Sequence, residues 1–181
     1  MIADTLSTQS LVIRDVQASD AAAFHAYMQH EHCWRDLPID PPSAPSVAAM
    51  VDRWLEDQKQ QPRTSFVMTA TDKATGGIVG EAIFHIRGQR WRQGEIGWGV
   101  RSDCLGRGLG TEIGHAMLKL AFGKFHLHRV YAQCRVENHA SRRIMEKLGM
   151  REEGILRENV MARGTWWSSV QCSILASEYT M

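Results

Sequence analysis

Residues 95–110 are the most constraining feature of the sequence, because five glycines there cross from a predicted strand through a turn into a predicted helix. Three of them, Gly106, Gly108 and Gly110, lie in the turn, where glycine lets the backbone approach an anion without an intervening side chain. The N-terminus of a helix adds unpaired N–H groups and a partial positive charge. The segment therefore predicts a phosphate-binding turn between a strand and a helix.

Two common phosphate motifs do not fit this turn. A P-loop needs a Gly-Lys-Ser/Thr sequence, and none follows these glycines. A dinucleotide-binding turn needs a third glycine at the position that Thr111 occupies, and the chain lacks an early βαβ unit. On spacing alone, a structural strand-to-helix turn remains the alternative to a ligand site.

The strand before the turn is also rich in glycine, with Gly94, Gly97 and Gly99 in one short segment. Glycine weakens a strand and commonly marks a bulge or the close approach of another backbone. A ligand with amide groups, such as pantetheine, can pair with such a strand, and its pyrophosphate would then lie at the neighbouring helix. The adjacent signals together describe a coenzyme A site.

Composition narrows the class of protein. The chain has 181 residues, 44% hydrophobic and 23% charged, which suits a single globular domain over residues 1–181. A formal net charge of +1 gives no reason to expect a nucleic acid or a membrane as partner. The four cysteines include no C-x-x-C pair, and the N-terminus shows no signal peptide. We expect a cytoplasmic protein without a metal site, although the His30-Glu31-His32 cluster has suitable side chains.

Hydrophobic periodicity predicts a mixed α/β order, β-α-α-β-β-β-α-β-α-β-β. Ser46 is predicted to cap the second helix after a proline-rich loop, and Gly149 to end the last helix. The predicted strands cover residues 11–13, 65–71, 78–86, 94–100, 129–136, about 151–154 and about 166–175. The first two helices are predicted over residues 18–30 and 47–59.

Two segments resemble a known family. Residues 105–111, Leu-Gly-Arg-Gly-Leu-Gly-Thr, resemble the acetyl-CoA loop of the GNAT superfamily, Q/R-x-x-G-x-G/A, with Leu105 at the first position. Residues 138–150 are similar to the N-x-x-S-x-x-x-x-x-K-x-G-F signature of its RimJ/RimL-like branch, with Met150 in place of the aromatic residue. The resemblance extends from about Leu11 to Glu178 and implies a mixed, mostly antiparallel twisted sheet with helices on both faces.

The resemblance implies direct transfer of an acetyl group from acetyl-CoA to an amine. Glu95 is the first candidate for the base that takes the amine proton, and Glu81, in the preceding strand, is the second. Ser141 is a candidate acid for the leaving thiolate, or a cofactor contact. The residues expected to contact the cofactor are Trp98, Gly99, Val100, Leu105, Gly106, Arg107, Gly108, Leu109, Gly110, Thr111, Asn138 and Ser141.

The acceptor stays open between two classes of primary amine. The resemblance implies a protein N-terminus, whereas a small-molecule amine is the alternative. Residues 31–42 lie where GNAT proteins place the acceptor-side loop, so they are expected to determine the substrate unless they only pack. The family also implies a homodimer. A non-catalytic acyl-CoA-binding module, which would keep the glycine loop and Asn138 but not need Glu95, is the rival function.

Overall fold

One eight-stranded sheet forms the centre of the computed structural model, which describes residues 5–180. The strands are β1 Leu6–Ser7, β2 Leu11–Asp15, β3 Ser65–Asp72, β4 Ile78–Arg87, β5 Gln93–Val100, β6 Arg129–Arg135, β7 Arg151–Ala162 and β8 Thr165–Leu175. The α-helices are α1 Ala21–Met28, α2 Ala44–Lys59, α3 Leu109–Lys119 and α4 His139–Lys147. None of these helices is long and apolar enough to cross a membrane.

The strand order is β1-β2-β3-β4-β5-β6-β8-β7. All neighbours are antiparallel except β5 and β6, which run parallel and are joined by the crossover that contains α3. The predicted mostly antiparallel, mixed sheet is confirmed.

Helices cover both faces of the sheet, as predicted. On one face, which we call the α3/α4 face, a buried core joins the sheet to Ile113, Met117, Met145 and Leu148. On the opposite α1/α2 face, Phe24 and Val51 pack with Val67 and Ile83 of the sheet. Since side chains alternate along a strand, Glu81 of β4 and Glu95 of β5 point to the α1/α2 face.

Three local predictions were wrong. Ser43, not Ser46, precedes α2: the Ser46 amide donates to the Ser43 hydroxyl at 3.3 Å, and the Ser43 amide donates to the Ser46 hydroxyl at 2.8 Å. Pro45 is tolerated because the first-turn N–H groups of a helix have no intrahelical partner. Strand β1 was not predicted, and β7 extends eight residues beyond its predicted end because it pairs with β8 along most of its length.

Candidate functional site

The parallel pair β5–β6 separates shortly after it begins. Its register contains three residue pairs, of which Glu95 opposite Tyr131 is the last. Beyond that point, residues 96–100 pair with β4 alone and residues 132–135 with β8 alone, among the residues that the structure describes. The two strands therefore border a gap, in which the backbone groups of β5 that point away from β4 are free to bind a ligand with amides.

The N-terminus of α3 lies at the end of the turn that follows β5. Gly108 is its N-cap, with φ of 79°, and Gly106 has φ of 76°, a region that side-chain-bearing residues rarely adopt. No side chain caps the helix, and the first helical hydrogen bond runs from the Glu112 amide to the Gly108 carbonyl at 3.1 Å. The amides of Leu109, Gly110 and Thr111 are thus available to an anion such as a pyrophosphate.

The side chain of Arg107, unlike the glycines beside it in this turn, forms an ion pair with another part of the chain. Its guanidinium donates to the carboxylate of Asp72 at 2.6 Å, and this contact lowers the pKa of Asp72. The turn is therefore held against the end of β3 by the Arg107 side chain, while its backbone remains open. Leu105, the position where the family motif commonly has Gln or Arg, has 47% of its surface exposed.

Asn138 and Ser141 start α4, just after β6 ends. The side-chain oxygen of Asn138 accepts a hydrogen bond from the Ser141 amide at 3.0 Å, so Asn138 is the N-cap. The capping role therefore belongs to Asn138, and the hydroxyl of Ser141 does not cap the helix. Both side chains are half-buried, and the Asn138 amide nitrogen is left for another partner.

Glu95 stands where the gap opens, and it is already engaged by neighbours. Its carboxylate accepts from the guanidinium of Arg87 at 3.0 Å and from the hydroxyl of Tyr131 at 3.4 Å. The Glu95 side chain is 28% exposed and that of Arg87 is 55% exposed. This geometry fits a strand-end ion pair as well as it fits a catalytic carboxylate.

Glu81 is the buried carboxylate of the site. It is 6% exposed, and its Oε2 has no hydrogen-bond partner. Burial in an apolar environment disfavours the charged form and raises the pKa of Glu81 to about 7. Its partner in the sheet is Gly99 of β5, where a Cβ would lie 2.2 Å from Glu81 Oε1. The carboxylate therefore lies directly over the strand that borders the gap.

Trp98 and Val100 of β5 point to the α3/α4 face and pack against the core beside Gly110. A Cβ on Gly110 would lie 2.7 Å from Ile144 Cδ1 of α4, so this glycine allows the two helices to approach closely. Side-chain packing thus fixes the end of β5 and the start of α3 relative to each other. The Trp98 ring therefore belongs to the core, and its backbone borders the gap.

Residues 31–42, which we call the crossing loop, contact the chain just beyond β5 and at the end of β6, the two strands that border the gap. Burial raises the pKa of the Cys33 thiol, which lies against the backbone of Ser102 just after β5. Asp36 lies 3.8 Å from Arg135 at the end of β6. Arg163 also holds the loop through hydrogen bonds. The sequence did not single this residue out, because its partners are more than 120 positions away along the chain.

No group of three or more His, Cys, Asp or Glu side chains within residues 5–180 has an arrangement that could hold a metal ion. The His30-Glu31-His32 segment falls partly in a short 3₁₀ turn, Glu31–Cys33, where these residues are exposed. What the site offers is a split sheet, free backbone amides and the buried carboxylate of Glu81.

A split parallel strand pair beside a glycine turn and an open helix N-terminus suits a ligand that carries both amides and a pyrophosphate. A family model for the acetyltransferase (GNAT) domain matches residues 10–151, and the chain belongs to this family. It is 27% identical over 174 residues to the uncharacterized N-acetyltransferase YnaD of Bacillus subtilis (strain 168), covering 96% of this chain and 98% of that protein. The predicted enzyme class, an N-acetyltransferase, is confirmed.

Two solved structures share the fold. The GNAT-family acetyltransferase from Bacillus anthracis matches with a TM-score of 0.84 and 26% identity, covering 96% of this chain and 99% of that chain. RimJ of Mycobacterium smegmatis, solved in complex with CoA-disulfide, matches with a TM-score of 0.84 and 23% identity, covering 94% and 84%.

Proposed function

We propose that this enzyme transfers the acetyl group of acetyl-CoA to a primary amine by direct attack of the amine on the thioester. The observation that carries the proposal is the buried Glu81 carboxylate over Gly99, at the edge of the gap between β5 and β6. Burial of a carboxylate without a full set of partners costs folding free energy. A module that binds coenzyme A without catalysis would gain nothing from that cost.

The gap and the start of α3 fit acetyl-CoA as substrate. The backbone groups of Trp98 and Val100, which alternate away from β4, would pair with the pantetheine amides, and the Asn138 amide would bind from the other border of the gap. The amides of Gly110 and Thr111 would hold the pyrophosphate. The thioester supplies an activated acetyl carbon to the open end of the gap.

The acceptor must lose a proton before or during its attack. An alkyl ammonium has a pKa of about 10, so a neutral amine requires a base at physiological pH. Glu81, with a pKa of about 7, is ionised to a useful extent there and takes the proton directly or through one water. The nitrogen bonds to the acetyl carbon, the C–S bond then breaks, and the thiolate leaves with the electron pair and takes up a proton.

The remaining roles follow from position. A backbone N–H of β5 between Trp98 and Val100 stabilises the oxyanion of the tetrahedral intermediate. The hydroxyl of Ser141, which does not cap α4, donates to the leaving thiolate or to the cofactor. Glu95 is the alternative base, but its contacts with Arg87 and Tyr131 favour a role in fixing the start of the gap.

The acceptor is either a protein N-terminus or a small amine, and the enzyme works as a monomer or a homodimer. The test is a panel of amines with acetyl-CoA, read by mass spectrometry. The panel pairs hexapeptides starting with alanine, serine and methionine with spermidine, lysine and an aminoglycoside. Acetylation of any of them, lost in Glu81→Gln, supports the proposal. Acetyl-CoA binding without transfer to any amine would favour the binding module instead.

A further inference from the structure

Arg163, in the turn between β7 and β8, has contacts that no step of the proposed reaction uses. Its guanidinium donates to the backbone carbonyls of Arg35, Leu37 and Ile39 in the crossing loop, with the Leu37 bond at 3.0 Å. The three carbonyls belong to every second residue of this segment, and the single planar guanidinium donates a hydrogen bond to each of them. The loop depends on this side chain for hydrogen bonds that a regular element would supply itself.

The Arg163 guanidinium is itself held by aromatic rings. It lies 4.5 Å from the ring centroid of Trp167 and 5.5 Å from that of Trp34. Trp167 is 9% exposed, and Arg135 also lies 4.5 Å from its ring centroid. Cation–π contacts of this kind orient a guanidinium as well as attract it. Arg163 is therefore a preorganised clamp rather than a mobile surface arginine.

The crossing loop that Arg163 holds joins the two borders of the gap. Cys33 lies against Ser102 beyond the end of β5, and Asp36 lies near Arg135 at the end of β6. Cys33 of the loop packs against the cluster of the α1/α2 face, which is the face to which Glu81 points. An amine that approaches Glu81 on this face from the ends of β5 and β6 therefore meets the loop.

We infer that Arg163 is a positioning residue, which holds the crossing loop so that the acceptor amine meets the gap beside Glu81. This inference rests on the proposed function. Arg163 touches neither the gap nor Glu81, so it acts through the loop and affects acceptor binding more than acetyl-CoA binding. Lysine cannot replace it, since an ammonium lacks the planar fork that spans three carbonyls and stacks on a ring.

The first arm of the test measures the loop without any reaction. Alkylation of Cys33 by iodoacetamide, followed by mass spectrometry of its peptide, is compared in wild type, Arg163→Ala, Arg163→Lys and Arg157→Ala. Arg157 is an exposed arginine of β7 and serves as the matched control. Both Arg163 variants should alkylate Cys33 about tenfold faster, and Arg157→Ala at the wild-type rate. Equal rates in all four proteins would overturn the inference.

The second arm measures steady-state kinetics with the alanine hexapeptide as the probe amine. We expect the KM for the peptide to rise about tenfold in both Arg163 variants, and the KM for acetyl-CoA to stay within about twofold. A rise shared by Arg157→Ala, or an equal rise for acetyl-CoA, would contradict the inference. Lack of acetylation by wild type counts against the proposed acceptor, whereas the alkylation rates still decide the role of Arg163.

Discussion

The carboxylate of Glu81 occupies the space in which Gly99 would carry a side chain, since a Cβ there would lie 2.2 Å from Glu81 Oε1. The carboxylate on β4 can lie here only because β5 has a glycine opposite it, so we treat Glu81 and Gly99 as one unit. Burial leaves Glu81 Oε2 without a partner and raises the pKa of Glu81 to about 7. The unit places a proton acceptor over the strand that borders the gap.

Replacement of Glu81 by Gln tests which carboxylate is the base. Wild-type kcat/KM should rise with pH up to about 7 and then level off if no other group limits it, because Glu81 must be ionised. Glu81→Gln should lower kcat/KM by about 10²–10⁴-fold and remove this rise. The measurement is the pH–rate profile between about pH 5 and 9.

Glu95→Gln is the matched control for that profile. It removes a carboxylate at the opening of the gap that is engaged by Arg87 and Tyr131. We expect the profile to keep its shape, with turnover reduced by less than about tenfold. If Glu95→Gln abolished the rise with pH while Glu81→Gln retained it, the two assignments would have to be exchanged.

Gly99→Ala tests the unit from its other side. The added methyl group displaces the Glu81 carboxylate, so activity should fall by about tenfold or more. Gly97→Ala is the matched control, two residues away on the same strand and face, where the nearest atom to a Cβ is Ile83 Cβ at 3.5 Å. Comparable kcat values for the two variants would show that the position of the carboxylate is unimportant.

Glu81 also predicts how stability depends on pH. Its pKa of about 7 in the folded protein lies above the ordinary value of 4.5 for a glutamate, so the native state binds the proton more tightly than the unfolded state. Stability therefore falls as pH rises from about 4.5 to about 7, by about 3 kcal/mol at 1.36 kcal/mol per pKa unit. Urea unfolding of wild type and Glu81→Gln should show this slope in wild type only.

The pKa of Asp20 is shifted in the opposite direction from that of Glu81, so its contribution to stability should depend on pH with the opposite sign. Burial alone would raise the pKa of Asp20, but hydrogen bonds from Arg14, the Gln17 amide and Thr69 outweigh it and lower the pKa. Its contribution is present above the unfolded pKa and is lost as pH falls through the folded pKa. Asp20→Asn should cost about 3 kcal/mol near neutral pH, because it leaves the Arg14 charge poorly compensated.

Urea unfolding measures this cost. Asp52→Asn, at an exposed position of α2, is the control and should change stability by less than about 0.5 kcal/mol. Equal stabilities of the two variants would mean that the ion pair with Arg14 contributes nothing.

The glycine turn could be predicted from the sequence because its conformation depends on residues that are close together along the chain. Gly106 and Gly108 both have positive φ, a backbone conformation that glycine adopts more readily than any other residue. Residues 138–150 likewise carried a signature whose terminating residue, Gly149, is a local feature, whereas the capping role of Asn138 was not predicted. The order of most elements was predicted as well.

Features that depend on distant parts of the chain were not. Alternation along a strand places Glu81 on one face of the sheet, but the depth of its burial depends on the helices that cover that face. One local feature was also missed: Ser43 rather than Ser46 is the cap, because Pro45 is tolerated in the first turn of α2 and the helix begins before it. The clamp formed by Arg163 joins two loops that are far apart in sequence.

The most direct test of the account is a thermal-shift titration with acetyl-CoA, CoA, ATP and NAD. A ligand that binds only the native state stabilises it by about 2.7 kcal/mol at one hundred times its Kd. We expect acetyl-CoA and CoA to raise the Tm of wild type and of Gly164→Glu, but not of Gly108→Glu. Gly164 is the matched control, because both glycines have positive φ and no atom within 4 Å of a Cβ. A rise with ATP or NAD alone, or none with acetyl-CoA, would contradict the account.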